Sequence, residues 1–178
     1  MVDMGITTTP LLYFIASRHE VSAGVMVTAS HSPPEYNGLK FVRRGAISFP
    51  EFGGLDELRQ LLTRGLAEPR GGGTIEQADY SDEYVAFLAE HASSEQSHVA
   101  IDAGNGATAV LLPKLLDRLP NIVVERLNFE LDGSFPGRGP NPLREGALEK
   151  LQQTVRGSAC QLGVAFDGDG DRALFVDE

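Results

Sequence analysis

Short apolar, β-branched runs alternate with segments of helical spacing through residues 98–177, and this alternation leaves that half of the chain few folds to choose from. HVAID (98–102), NIVVERL (121–127) and CQLGVAF (160–166) read as strands. ATAVLLPKLLDRL (107–119), interrupted at Pro113, and LREGALEKLQQTV (143–155) read as helices. Gly104, Asn105 and Gly106 form a turn, DGSFPGRGPNP (132–142) a long loop, and ALFVD (173–177) a closing strand. Strand–helix–strand–helix–strand implies a parallel α/β layer.

The first half is less regular. Thr9 and Pro10 open a helix, with Thr9 as its cap and Pro10 at its first position, and Gly24 ends it. GVMVTA (24–29) reads as a buried strand that empties into the turn-rich SHSPPEYNGLK (30–40). Residues 55–67 have helical spacing, residues 69–73 form a surface loop, and residues 81–92 form a helix capped by Ser81. A chain of 178 residues holds one domain or two small ones, at roughly 150 residues per domain. The change of pattern puts a boundary near residue 78, which gives modules at 1–78 and 79–178. Both read as incomplete, and the chain is expected to be part of a longer protein.

Charge narrows the possible partners. With 15 Lys+Arg against 25 Asp+Glu the net charge is −10, which repels nucleic acid and anionic membrane; neither is expected as a partner. Cys160 is the single cysteine, so no internal disulfide forms and a reducing, cytoplasmic setting is expected. No run approaches the ~18 apolar residues of a membrane span.

Residues 167–171 read Asp-Gly-Asp-Gly-Asp between two apolar strands. Three carboxylates in so short a loop repel one another unless a cation neutralises them. The glycines let the backbone curl so that side chains at i, i+2 and i+4 converge. Hard oxygen ligands from a compact loop suit Mg²⁺. An EF-hand needs glycine at its sixth position, where this chain has Arg172, and helical rather than strand flanks. A solvated acidic turn and a purely structural metal site are the other readings.

Thr28-Ala29-Ser30-His31-Ser32-Pro33-Pro34 follows the strand GVMVTA. A serine at the mouth of a strand is well placed for phosphoryl chemistry, although Ser, Pro and Asn-Gly are also ordinary turn residues. Ser30 and His31 do not form a hydrolase dyad, because an extended backbone points them to opposite sides. Lys40, ten residues on, could return toward the serine.

Taken in order, these two loops resemble the α-D-phosphohexomutase superfamily of phosphomannomutase/phosphoglucomutase and phosphoglucosamine mutase. TASHSPPEYNGLKF resembles its catalytic serine loop, FDGDGDR its magnesium loop, and DAGNGA (102–107) and DGSFPGRGPNP two further landmarks. The resemblance implies incomplete three-layer α/β modules of the phosphohexomutase type. It implies that Ser30 is the phosphoserine, that Asp167, Asp169 and Asp171 bind Mg²⁺ together with its phosphate, and that Lys40 carries the proton at the sugar hydroxyl. His31 and Arg172 would support the phosphate. The implied substrate is a glucose or mannose 1- or 6-phosphate turned over through a bisphosphate, or a glucosamine phosphate. Ser32 departs from the family's usual Asn. The family's sugar-reading and phosphate-clamping motifs do not occur in this sequence, so little turnover is expected from these residues alone.

Two other classes compete. Gly104-x-Gly106-x-x-Ala109 after a strand, with Glu125 about twenty residues on, outlines a dinucleotide-binding unit. A non-catalytic remnant that keeps the fold is the other. Tyr13 and Phe14 fit the core face of the first helix, and Cys160 fits core packing. His19, His91 and His98 read as surface residues, and Arg138 as a solvated loop arginine.

Overall fold

The computed structural model describes residues 1–65 and 71–177. In the second half the expected parallel layer forms. β6 (Ser97–Asp102) lies between β7 (Ile122–Leu127) and β8 (Leu162–Phe166), parallel to both, and β9 (Ala173–Val176) runs antiparallel on the outer edge of β8. Helices cover both faces. On one, α4 (Thr108–Leu116) packs Ala109 and Leu112 against Ile101 and Ala103. On the other, α5 (Glu149–Gly157) buries Leu151 and Val155 against Ala100, Leu127, Cys160, Ala165 and Val176.

Two helices differ from expectation. α4 runs through Pro113 instead of breaking there; the lost N–H costs one bond, while Leu111 and Leu112 stay buried. α5 begins at Glu149 rather than Leu143, because Gly146 takes φ +78° and residues 141–147 fold as successive turns.

The first half is built differently. β2 (Ala23–Val27), β3 (Leu39–Arg43) and β4 (Ile47–Ser48) form an antiparallel sheet in that order. α1 (Thr9–Arg18) covers one face through Leu12, Ala16 and Val42. Gly24 does not end this helix. The helix stops at Arg18 and Gly24 sits within β2, where a Cβ would lie 3.0 Å from Leu12 Cδ1 and 3.1 Å from Val42 Cγ2, so glycine lets helix and strand close together. β2 is not the buried strand expected. It is an edge strand, and its outward residues Val25 and Val27 are 51% and 65% exposed. They share that face with Leu39 and Phe41 by register. α2 (Asp56–Arg64) buries no residue, and Leu61 and Leu62 face solvent. Among the described residues this module therefore has two layers, an incomplete α/β unit.

Within the first half, β1 (Val2–Asp3) pairs in parallel with β5 (Glu76–Gln77). A helical seam joins the halves. α1 lays Leu11, Phe14 and Ile15 against Leu111 of α4 and against Tyr84 and Phe87 of α3 (Ser81–Glu90). The caps shift by one or two residues. Thr8, not Thr9, caps α1 by accepting from the Leu11 amide at 3.4 Å. Asp79 holds the start of α3 by accepting from the Ser81 amide at 2.8 Å, while the Ser81 hydroxyl receives Lys114. Pro69 and Arg70 of the expected loop lie outside the described residues; Gly71, Gly72 and Gly73 are exposed. No helix among the described residues is long and apolar enough to cross a membrane.

Candidate active site

β2 ends at Val27, and the chain turns through hydrogen bonds from the Thr28 amide to the Gly38 carbonyl (2.9 Å) and from the Ser32 amide to the Ala29 carbonyl (2.9 Å). Inside this turn Ser30 takes φ +54°, a left-handed conformation uncommon for a side chain with a Cβ. The Thr28 hydroxyl steadies it by accepting from the Ser30 amide at 2.8 Å. Because the backbone is not extended here, His31 does not point away from Ser30 as expected; its Nδ1 lies 3.3 Å from Ser30 Oγ.

Across from this turn, Ser30 Oγ donates to Asp167 Oδ2 at 3.0 Å. The carboxylate therefore engages the serine itself and not the histidine, unlike the order of a hydrolase triad. The acidic loop that carries Asp167 folds on its own backbone. Asp167 Oδ1 accepts from the amides of Gly170 (3.1 Å) and Arg172 (3.2 Å). Gly170 takes φ +75°, which supplies the curl expected from the sequence. The glycines do a second job that the sequence did not disclose. A Cβ on Gly168 would lie 2.4 Å from the Ser30 carbonyl oxygen, and one on Gly170 2.5 Å from Thr108 Cγ2.

Among the described residues, Asp167, Asp169 and Asp171 each offer a carboxylate oxygen within 4.8 Å of the others. Asp167 is fully buried and Asp169 is 3% exposed. Asp169 Oδ2 accepts from Lys40 Nζ and from Thr9 Oγ1, both at 2.7 Å, and Lys40 also pairs with Asp171. Asp169 Oδ1 is buried and has no hydrogen-bond partner among the described residues. Burial, then the neighbouring Asp169 charge, hold the Asp167 carboxyl above the usual range. Burial pushes Asp169 the same way, but the hydrogen bonds from Lys40 and Thr9 outweigh it and hold Asp169 low. Burial likewise works against the Lys40 ammonium, and its two aspartate partners more than restore it, so its pKa is raised.

Ser30, His31, Lys40, Asp167, Asp169 and Asp171 thus converge. The Arg172 guanidinium is nearer the rim, 3.8 Å from Asp167 Oδ2 with its side chain 43% exposed. Thr9 and Thr28 also belong to the cluster; the sequence offers Thr9 only as a helix cap and Thr28 only as part of the serine turn, and the run Thr7-Thr8-Thr9 before Pro10 is the available signal for more. Arg138 is not the solvated loop residue expected, since its side chain is 5% exposed and ion-paired with Asp102. His19, His91 and His98 sit apart from the site, on Glu83, the Phe87 carbonyl and Glu125 respectively.

The Gly104-to-Ala109 segment has already committed most of the amides that a pyrophosphate would need. The amides of residues 104–107 are taken by Asp102 Oδ1 and by the carbonyls of Asn128, Ala103 and Gly168. A Cβ on Gly106 would lie 2.5 Å from the Gly168 oxygen, so that glycine accommodates the protein's own backbone and leaves no cradle for a dinucleotide.

Fold and site together define a two-module α/β protein in which a serine turn from one module meets a three-carboxylate loop from the other. The chain belongs to the phosphoglucomutase/phosphomannomutase family: residues 1–63 match its alpha/beta/alpha domain I and residues 78–178 its alpha/beta/alpha domain II. It is 38% identical over 176 residues to a phosphomannomutase/phosphoglucomutase of Pseudomonas aeruginosa, covering 98% of this chain and 37% of that protein. It is 36% identical over 184 residues to a Methanopyrus kandleri protein named "Probable phosphoglucosamine mutase", covering 100% of this chain and 40% of that one. The crystal structure of a phosphoglucomutase/phosphomannomutase family protein from Burkholderia thailandensis matches with a TM-score of 0.84 at 34% identity, over 99% of this chain and 40% of that chain. The chain therefore spans about two fifths of the length of these relatives.

Proposed function

We propose that this chain carries the phosphoserine and metal half of a phosphohexomutase, which moves a phosphoryl group between the 1- and 6-positions of a hexose phosphate. The division at residues 1–78 and 79–178 puts the serine on the first module and the acidic loop on the second. The observation that carries the reading is the 3.0 Å hydrogen bond from Ser30 Oγ to Asp167, beside an acidic group that Lys40 bridges.

The residues fit a divalent cation of the Mg²⁺ type. Their donors are hard carboxylate oxygens, and the buried Asp169 Oδ1, without a hydrogen-bond partner among the described residues, suits a metal-ligand role. When bound, Mg²⁺ would offset the charge of the phosphate and carboxylates. The chain's own residues account for the rest. Ser30 presents its phosphate from a fixed turn. A sugar oxygen forms a new P–O bond as the Ser30 Oγ–P bond breaks. The sugar hydroxyl loses a proton and Ser30 Oγ regains one, an exchange we assign to Lys40. His31, at the serine oxygen, and Arg172, at the rim, steady the phosphate; Arg can hold it in a bidentate grip.

Glucose or mannose phosphate is the substrate class proposed, by likeness to the Pseudomonas aeruginosa relative. Glucosamine phosphate is the second reading, carried by the Methanopyrus kandleri relative. The single cysteine fits a cytoplasmic setting.

Incubation with glucose 1,6-bisphosphate and Mg²⁺, followed by peptide mass spectrometry, tests the proposal. Phosphate is expected on Ser30, lost in Ser30→Ala and strongly reduced in Asp169→Asn. An unlabelled Ser30 under saturating bisphosphate would leave the non-catalytic remnant as the better account.

A further inference from the structure

Arg138 is not used by the chemistry above, yet it is among the most heavily engaged side chains of the molecule. Its Nε donates to Asp102 Oδ2 at 2.7 Å, Nη2 to the Phe166 carbonyl at 2.5 Å, and Nη1 to the Gly139 carbonyl at 3.2 Å. Asp102 ends β6, 1% exposed, and its other oxygen accepts from the Gly104 amide and from Asn128 Nδ2, both at 2.8 Å. Both buried charges are therefore paired and hydrogen-bonded, the condition under which such a pair is tolerated. Gly104 makes room for it, since a Cβ there would lie 2.6 Å from Arg138 Nη2.

The guanidinium ends at one particular peptide. Phe166 is the residue immediately before Asp167, so the Arg138 bond fixes the carbonyl that leads into the acidic loop. The same 132–142 loop packs beneath the next turn: a Cβ on Gly168 would stand 3.3 Å from Pro140 Cβ and 3.4 Å from Phe135 Cε1. From the other side the Ala107 amide donates to the Gly168 carbonyl at 2.9 Å. The two family landmarks that carry no reacting group, residues 102–107 and 132–142, thus form the seat on which the acidic loop rests.

We infer that Arg138, locked by Asp102, is a positioning residue for the acidic loop. It sets the direction in which the chain enters Asp167, and so the spacing of the three carboxylates toward a divalent cation and toward Ser30. The inference rests on the acidic loop being a cation site. Lysine at 138 keeps a charge for Asp102 but has no planar fork with which to hold the Phe166 carbonyl as well.

The test uses the 178-residue chain, Mn²⁺ as the probe and titration calorimetry, with amide hydrogen exchange as a second, metal-free measurement. Arg138→Lys is expected to weaken Mn²⁺ binding tenfold or more, on the order expected for groups that orient metal ligands. It should also speed exchange of the Gly170 and Arg172 amides that bond Asp167. Asp102→Asn combined with Arg138→Met leaves no unpaired charge, guards against misfolding of the lysine variant, and should show the same two losses. Leu151→Ala, in the core beneath the same sheet, should lower the melting temperature while leaving Mn²⁺ affinity intact.

The inference is overturned if Arg138→Lys keeps both affinity and exchange rates. It is also overturned if affinity falls in Leu151→Ala as much as in Arg138→Lys, since it would then merely track global stability. If the unsubstituted chain binds no Mn²⁺, or Asp169→Asn binds as well as it, the cation reading fails and takes this inference with it.

Discussion

The two halves solve the same problem to different degrees. In the second, α4 and α5 cover both faces of a four-stranded sheet, and Leu151, Ala100 and Ala165 lose all solvent exposure. In the first, a single helix covers one face of a three-stranded sheet, and Val25, Val27, Leu39 and Ile47 stay more than half exposed on the other. Yet the serine stands on the open half and the acids on the closed one. The site therefore depends on a seam between a well-packed body and a thin one.

The contrast can be broken or sharpened by substitution, beginning with the largest effect. Leu151→Ala should cost about 3 kcal/mol in urea unfolding, because it empties a fully packed position. A loss below 1 kcal/mol would show the second core to be loosely packed. At the seam, Gly168→Ala drives a Cβ to 2.4 Å from the Ser30 oxygen. It should cost about 1–3 kcal/mol, and the two modules should melt in separate transitions by calorimetry; one undisturbed transition would mean the turns can part freely.

Asp79→Ala removes the group that holds the start of α3 and should cost about 1 kcal/mol. The Asp79 carboxyl is lowered to about 2, first by the Ser81 hydroxyl, then by the Ser81 amide and Lys114. Its folded value lies below the unfolded one, so its contribution is full above about pH 4 and fades as pH falls through about 2. Acid titration of the variant should lack that component. Val27→Lys, on the open face, should change stability by less than about 0.5 kcal/mol. A loss comparable to that of Leu151→Ala would show that something covers this face in solution.

Much of the second half was legible because its sheet is covered on both sides, and such strands write themselves as continuous apolar runs. The same rule misread β2, whose run Gly24-Val25-Met26-Val27 is just as apolar but lies at an exposed edge. Periodicity registers side-chain character and not what sits opposite. β3 went unread because Lys40 and Arg43 interrupt its apolar character directly after the Asn37-Gly38 turn. In the site, Ser30 and the three aspartates lie in contiguous strings that a reader of sequence can find. Thr9 reaches Asp169 across 160 positions, and Arg138 reaches Asp102 from within a loop of Gly and Pro. No local pattern announces such partners, and the left-handed Ser30 backbone that turns His31 back is equally silent in the string.

The bond between Ser30 and Asp167 also has a consequence for biosynthesis. The two residues are 137 positions apart, so a ribosome delivers the serine well before the acids that face it. While the nascent strand lengthens, that hydroxyl hangs beside an unfinished neighbour. It gains its counterpart only when β8 and the acidic loop that follows it have emerged and docked, so the site stays open until both modules have been made.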